Sequence, residues 1–457
     1  MTKSWLRPAL LVSALLLSGN AFAQTYSKTE TITYSDNTSK WVLGQTASVS
    51  CTFSVPASTA CDGDVVSLTT YHATSALPLT TTSFGKLQST MTYNADGTLA
   101  TVKDGRNLTT TFSNWKRGTP QSIQYADSTT QSAVVDNSGW ITSVTDENGF
   151  STCYGYDAMG RLAKIEYPNE STGACDTTET SWKKLNRSFV PVASTEYGIP
   201  AGHWRETVYT GNAYKITYYD GLWRPLLVRE YDAGNQAATE RFTKTAYDAG
   251  GRVEFASYPS TSSTPTTGVW TDYDPLGRVS SVSQDSELGL LTSITTYNTG
   301  FSTTVTNPRN YSTTSTYLAY DQPSTDWPLV ITAPESATTT ITRDPHGKPL
   351  TLARSGGGVT SLTRSYTYNV NQELCRSVEP ETGATLYGYD AAGNLASSAS
   401  GLASTTACGT ANTRTVSRGY DNRNRLSTLT LPDGNGNQTW TYTNDGLPSL
   451  VTTANGG

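Results

Sequence analysis

The sequence predicts an all-β chain built as an array of short hairpins. Three observations predict it. A seven-residue pattern recurs along most of the 457 residues at a spacing near twenty. The segments between copies are rich in Thr, Val, Ile and Tyr, which suit a pleated surface. Aromatic residues make up 10% of the chain, led by 27 tyrosines, and charged residues only 15%. With so much Ser and Thr, this is the composition of an extracellular β protein, and the tyrosines argue against disorder.

The clearest copy is Tyr156-Asp157-Ala158-Met159-Gly160-Arg161-Leu162. It returns as Tyr273-Asp274-Pro275-Leu276-Gly277-Arg278-Val279 and as Tyr389-Asp390-Ala391-Ala392-Gly393-Asn394-Leu395. Looser copies begin at Tyr93, Tyr219 and Tyr247, the last with Asp248, Gly251 and Arg252, and later ones at Arg343, Tyr368, Tyr420 and Tyr442. Val135 opens one that has lost its tyrosine. Two gaps are 21 residues, two more are twice and three times 21, and five others lie between 22 and 31. Such a period, with drift, is one supersecondary unit per repeat.

Each unit reads as strand, tight turn, strand. The tyrosine ends the first strand, where its ring packs and its hydroxyl stays wet. The aspartate caps amides just ahead of it. The glycine supplies positive φ, and Arg-Leu or Arg-Val opens the return strand. Aliphatic residues three apart, such as Leu162/Ile165 and Val279/Val282, do not fit a simple alternating strand. A bulge, or a sheet packed on both faces, would explain them, and both stay open. A β-propeller of two hairpins per blade and a parallel β-solenoid are the rival architectures.

In chain order, residues 1–23 read as a secretory signal. Lys3 and Arg7 precede the apolar run Ala9 to Leu17, and Ala21-Phe22-Ala23 is the cleavage site. The run is too short to span a bilayer, and no other apolar run crosses one. Residues 24–85 are strand-like but carry no clear copy, as expected of a terminal cap. Residues 86–457 form the array, weaker over 167–214 and 280–342, with an insertion or divergent hairpins between Trp182 and Trp204. No cap follows the copy at Tyr442 before Asn455-Gly456-Gly457, which reads as a truncated product or an incomplete gene.

Cleavage removes two positive charges, taking the formal net charge from −6 to −8. An acidic chain without a basic run excludes nucleic acid as a partner. All six cysteines lie beyond the cleavage site, as a disulfide set in an oxidising compartment would. Proximity favours Cys51–Cys61, Cys153–Cys175 and Cys375–Cys408 among fifteen possible pairings. No Cys-x-x-Cys and no His near a Cys supports a metal site.

The Tyr-Asp-x-x-Gly-Arg-Leu copies at this spacing, over about residues 86–454, resemble the RHS/YD-repeat proteins. These include bacterial RHS-repeat proteins, wall-associated proteins and teneurins. The resemblance implies hairpins joined into one long spiralling sheet, a partial RHS β-shell, around a C-terminal toxin or peptide. It also implies contact with carbohydrate or cell surfaces in some members. No core segment with the family's aspartate-rich self-cleavage motif follows the repeats, and no variable tail. Asp344-Pro345-His346-Gly347 sits where a repeat turn belongs, so the family's self-cleaving activity does not carry over.

Candidate chemistry is sparse. Asp157, Asp220, Asp248, Asp274, Asp390 and Asp421 are turn caps or, with too few carboxylates per turn, calcium ligands. His72, His203 and His346 are isolated and in no catalytic motif. Trp140, Trp204, Trp223, Trp270 and Trp440 are packing residues or sugar platforms. Arg161, Arg252 and Arg278 pair with aspartates or stack on tyrosines. The leading expectation is a secreted, non-enzymatic scaffold without cofactor or metal. It would be part of a shell enclosing or presenting a C-terminal effector in contact-dependent bacterial competition, its cargo absent from this chain. The alternatives are a cell-surface or wall-associated adhesion module binding glycan, and a secreted enzyme.

Overall fold

In the computed structural model the protein is described over residues 26–454, apart from 56–60, 62, 321–323 and 357. The signal segment, Asp321 and Asn455-Gly456-Gly457 lie outside the described residues. Thirty-four strands are present among those described. Each pairs antiparallel with the next in sequence, from Ser27–Asn37 to Pro448–Thr453. The chain is therefore one continuous meander. This sets aside the propeller, which would break into separate blades, and the solenoid, whose strands run parallel.

The three-residue aliphatic spacing has a local cause. Tyr156 pairs with Leu162, but the preceding Gly155 pairs with Lys164, so Ala163 is an extra residue in the return strand. Such a bulge resets alternation. Leu162 lies opposite Tyr156 and Ile165 opposite Tyr154, so the two aliphatics share a face. The same shift follows the turn in all eleven copies.

The sheet is a single layer. In Leu99–Lys103, Thr109–Ser113, Ile141–Thr145 and Ser151–Tyr156 every residue is half-buried, so neither face lies under a second sheet. A true core forms where the repeats weaken. The hairpin Leu185–Pro191/Trp204–Thr210 carries a loop, residues 192–203, that folds back on one face. Its Ile199 packs with Ile216, Tyr218, Leu227 and Phe242, and burial pushes the Tyr218 hydroxyl up to about 12. The interval 280–342 keeps regular strands with fewer copies of the motif, among them Gly289–Asn298, Ser302–Thr306 and Ser312–Tyr317.

The sheet also coils until its two rims meet. One rim is formed by the YD turns, the other by the loops at the opposite strand ends. Loops between residues 64 and 148 of the second rim meet YD turns between 344 and 446 of the first. From Asp64–Tyr71 to Thr338–Arg343 is twenty-two strand steps. At about 4.8 Å per step the circuit is about 105 Å, or about 34 Å across if round, with about 24 Å clear between inner side chains.

Cys51 is joined to Cys61, Cys153 to Cys175 and Cys375 to Cys408, with Cα separations of 5.6, 5.8 and 5.6 Å. Among the described residues no helix is long and apolar enough to cross a membrane. Without a second layer, stability rests on local closures, so replacing Cys153 and Cys175 with serine is expected to cost about 3 kcal/mol. Urea unfolding followed by circular dichroism measures this, and an unchanged midpoint would show that the loop is held without the bond.

Candidate functional site

The repeated turn is the unit from which the rim is built. In the copy at 156 the Asp157 amide donates to the Arg161 carbonyl at 2.9 Å, and the Gly160 amide to the Asp157 carbonyl at 3.0 Å. Asp157 Oδ1 accepts the amides of Met159 and Arg161 at 2.9 and 3.0 Å. Oδ2 accepts Arg161 Nε, and Arg161 Nη2 lies 2.7 Å from it. Both oxygens of the carboxylate are therefore used within the turn. Gly160 has φ +80°, and a Cβ there would sit 2.6 Å from the Trp140 ring. The turns at Asp220, Asp248, Asp274 and Asp421 hold their arginines in the same way. At Asp390 the partner is Asn394, which donates to Oδ2 at 2.9 Å, and Gly393 has φ +90°.

Each turn is locked to the next. The guanidinium of Arg252 lies 4.4 Å from the Tyr273 ring centre, and Arg224, Arg278 and Arg425 stand 4.5, 3.8 and 4.6 Å over Tyr247, Tyr297 and Tyr442. The tyrosine hydroxyl is not left to water. Tyr273 Oη donates to the Val253 carbonyl at 2.8 Å, just past the preceding arginine. Tyr156, Tyr247, Tyr368 and Tyr420 make the same bond one repeat back. The expectation of a wet hydroxyl is corrected here, because the bulge brings a carbonyl of the neighbouring repeat under the ring. In the copy lacking its tyrosine, Trp140 takes the arginine position and packs 5.1 Å from Tyr156.

The seam joins the two rims through polar contacts. His346 Nε2 lies 3.0 Å from Asp64 Oδ2, and its ring meets Phe84 edge-on at 4.8 Å. Lys86 pairs with Glu373 and donates to the Asp390 carbonyl at 2.7 Å. Arg106 donates to the carbonyls of Tyr420 and Asp421 and to Asn424 Oδ1 at 2.9–3.0 Å. Arg423 donates to Glu147 at 2.9 Å and stacks 3.9 Å over Tyr125. A Cβ on Gly105 would fall on the Ala391 carbonyl, so glycine is required where the coils touch. A cavity of ≈ 330 Å³ opens beside Asp104, Tyr125, Asn422 and Arg423.

Sequence reading missed half of this seam. Asp104-Gly105-Arg106-Asn107, Asp146-Glu147-Asn148-Gly149 and Asn307-Pro308-Arg309-Asn310 form the same capped turn on the opposite rim. They lack the leading tyrosine that drew attention to the others. Asp or Asn followed three residues later by Gly or Asn was the available signal.

The three histidines are not brought together. His72 bonds Thr74 at 3.0 Å, buried His203 bonds the Pro200 carbonyl at 2.9 Å, and His346 belongs to the seam. Many aromatic faces cover one another. Trp204, Trp223 and Phe189 stack 4.8–5.1 Å apart, and Tyr214 lies between Tyr209 and Tyr231. Trp270 packs on Phe255 at 4.8 Å. Trp41 and Trp182 face outward, at 86% and 53% exposure.

Residues 136–172 match the family model described as RHS Repeat. Among solved structures the chain is similar to the crystal structure of TcdB2-TccC3-Cdc42, with TM-score 0.55 at 14% identity, over 89% of this chain and 23% of that one. It is also similar to a Photorhabdus luminescens Tc holotoxin pore with a mutated TccC3, with TM-score 0.57 at 14% identity, over 89% and 21%. This chain spans less than a quarter of either. No curated protein matches it. The architecture is thus that of a spiralling β-shell wall. The chain is similar to RHS-repeat proteins in the matched repeat over residues 136–172 and in the fold of its sheet.

Two measurements follow. Arg423→Ala leaves the buried Glu147 carboxylate without its cation, and is expected to cost about 3 kcal/mol in urea unfolding, against about 1 for Tyr273→Phe. The reverse order would show that the turn interlock outweighs the seam. The second concerns acid. The amide and guanidinium of Arg161 hold the Asp157 carboxyl below its ordinary 3.8, and the guanidinium and amide of Arg252 do so for Asp248. Partial burial alone would raise Asp274 and Asp421, but hydrogen bonds from Arg278 and Arg425 outweigh it and lower both. A lowered folded pKa gives stability that is present above the unfolded value and lost as pH falls through the folded one. The melting temperature is expected to hold down to about pH 5 and fall below about pH 4. A flat profile through acid would rule out the turn carboxylates as contributors.

Proposed function

We propose that the protein is a secreted, non-enzymatic scaffold forming part of a shell wall. The wall encloses or presents a C-terminal effector in contact-dependent bacterial competition. The observation that carries this reading is the seam, which turns a flat meander into a closed circuit around an interior. A coil whose rims meet separates what lies inside from water and proteases. The three disulfides suit the oxidising compartment that secretion implies. Likeness of fold to a Tc holotoxin pore supports the association with toxins.

The bore narrows what such a wall holds. A clear width of about 24 Å admits an extended chain or a helix about 10–12 Å thick. A folded domain of about 100 residues, with a radius of gyration near 13 Å, does not fit. The cargo is accordingly held unfolded or as short helices.

The test is a disordered passenger peptide fused after Gly457 and digested with a broad-specificity protease. Cleavage severalfold slower than for the free passenger is expected. Equal rates, with the repeat sheet intact by circular dichroism, would sink the enclosure reading.

A further inference from the structure

The seam shows how the two rims recognise each other. The residue at the turn tip, two past its first polar residue, enters the opposing coil. His346 lies against Asp64 and Phe84, Asn371 Nδ2 donates to the Phe84 carbonyl at 2.8 Å, and Arg423 reaches Glu147 and Tyr125. Arg425 keeps its own Asp421 and also approaches Asp127 at 3.3 Å. Its side chain is 21% exposed as a result.

Earlier on the same rim the corresponding tips stand in solvent. Met159, Leu222 and Leu276 are 77%, 72% and 77% exposed. The arginines of their turns, Arg161, Arg224 and Arg278, keep 38%, 31% and 45% side-chain exposure. Apolar tips set between guanidiniums are the composition found at the centre of protein interfaces. The opposite rim beyond the seam is also open, and its turns carry the exposed carboxylates Glu170, Glu287 and Glu335. Both halves of the contact seen in the seam are therefore exposed on one molecule and continuous with it, with guanidiniums on one rim and carboxylates on the other.

We propose that the open YD rim of one copy docks on the open loop rim of a second copy, repeating the seam between molecules. Guanidiniums meet carboxylates, and Met159, Leu222 and Leu276 enter the loop edge as His346 and Arg423 do within the chain. The contact is head to tail, so association is open-ended unless the rotation closes a ring.

Sedimentation of the full chain at rising concentration tests this, beside two variants. One is Met159→Asp/Leu222→Asp/Leu276→Asp, which disables the YD rim. The other is Glu170→Lys/Glu287→Lys/Glu335→Lys, which disables the loop rim. All six positions are exposed, and circular dichroism checks that both variants fold. The wild type is expected to grow in mean mass with concentration, each variant alone to stay monomeric, and their mixture to stop at a one-to-one dimer through the single intact contact. A wild type that stays monomeric throughout would overturn the proposal. So would association that survives in both variants, or a mixture that remains monomeric while the wild type associates.

Discussion

The carboxylate of the turn aspartate fixes the geometry on which everything else in this protein rests. One oxygen takes two amides, which sets the turn's backbone. The other holds the arginine, which sets the direction of the guanidinium. Because the arginine cannot swing away, its flat face lies where the next tyrosine arrives. The bulge after the turn then offers that tyrosine a carbonyl. Every repeat thus orients its neighbour by short-range contacts, as expected of a quasi-one-dimensional array. A bulge at the same step of each repeat adds the same bend and right-handed twist each time. A constant increment produces a coil.

A coil of one layer has an uncommon distribution of stability. Most strand residues are half-buried on both faces, so burial of apolar area contributes less per residue than in a sandwich. Disulfides close local loops, and one small core forms under the 192–203 loop. Among the described residues the contacts distant in sequence that tie the coil are those of the seam, with Lys28 5.4 Å over the Tyr320 ring beside them. The tips that meet in the seam, His346, Asn371 and Arg423, are polar, so the seam is built from ion pairs and bonds to carbonyls. Buried pairs of this kind give modest net stability but penalise a wrong partner heavily. A register error by one turn would cost Glu147 and Arg106 their partners across the seam.

The same economy of side chains describes the protein's chemistry. The turn aspartates spend their oxygens on amides and arginines rather than on calcium. Two of the histidines are buried in structural contacts, one of them across the seam. Many tryptophan and tyrosine rings stack on other aromatic rings and on guanidiniums. What remains open is the edge of the structure, its rims and turn tips.

Much of this was legible in the residues. The Tyr-Asp-x-x-Gly-Arg spacing gives the hairpins, and the three-residue aliphatic interval points to the bulge, because both act within one or two turns of chain. Cysteine proximity names the pairs that the structure joins. The opposite-rim turns at Asp104, Asp146 and Asn307 were hidden, since without a tyrosine they look like ordinary loops. The seam was hidden for a deeper reason. His346 and Asp64 are 282 residues apart, and nothing in either local sequence marks the other. Their meeting depends on the sum of many small bends along twenty-two strands. Local sequence therefore determined the repeat and its turn, where each interaction spans a few residues. The circuit and the pairing of its rims were decided only by the accumulated curvature of the tertiary structure.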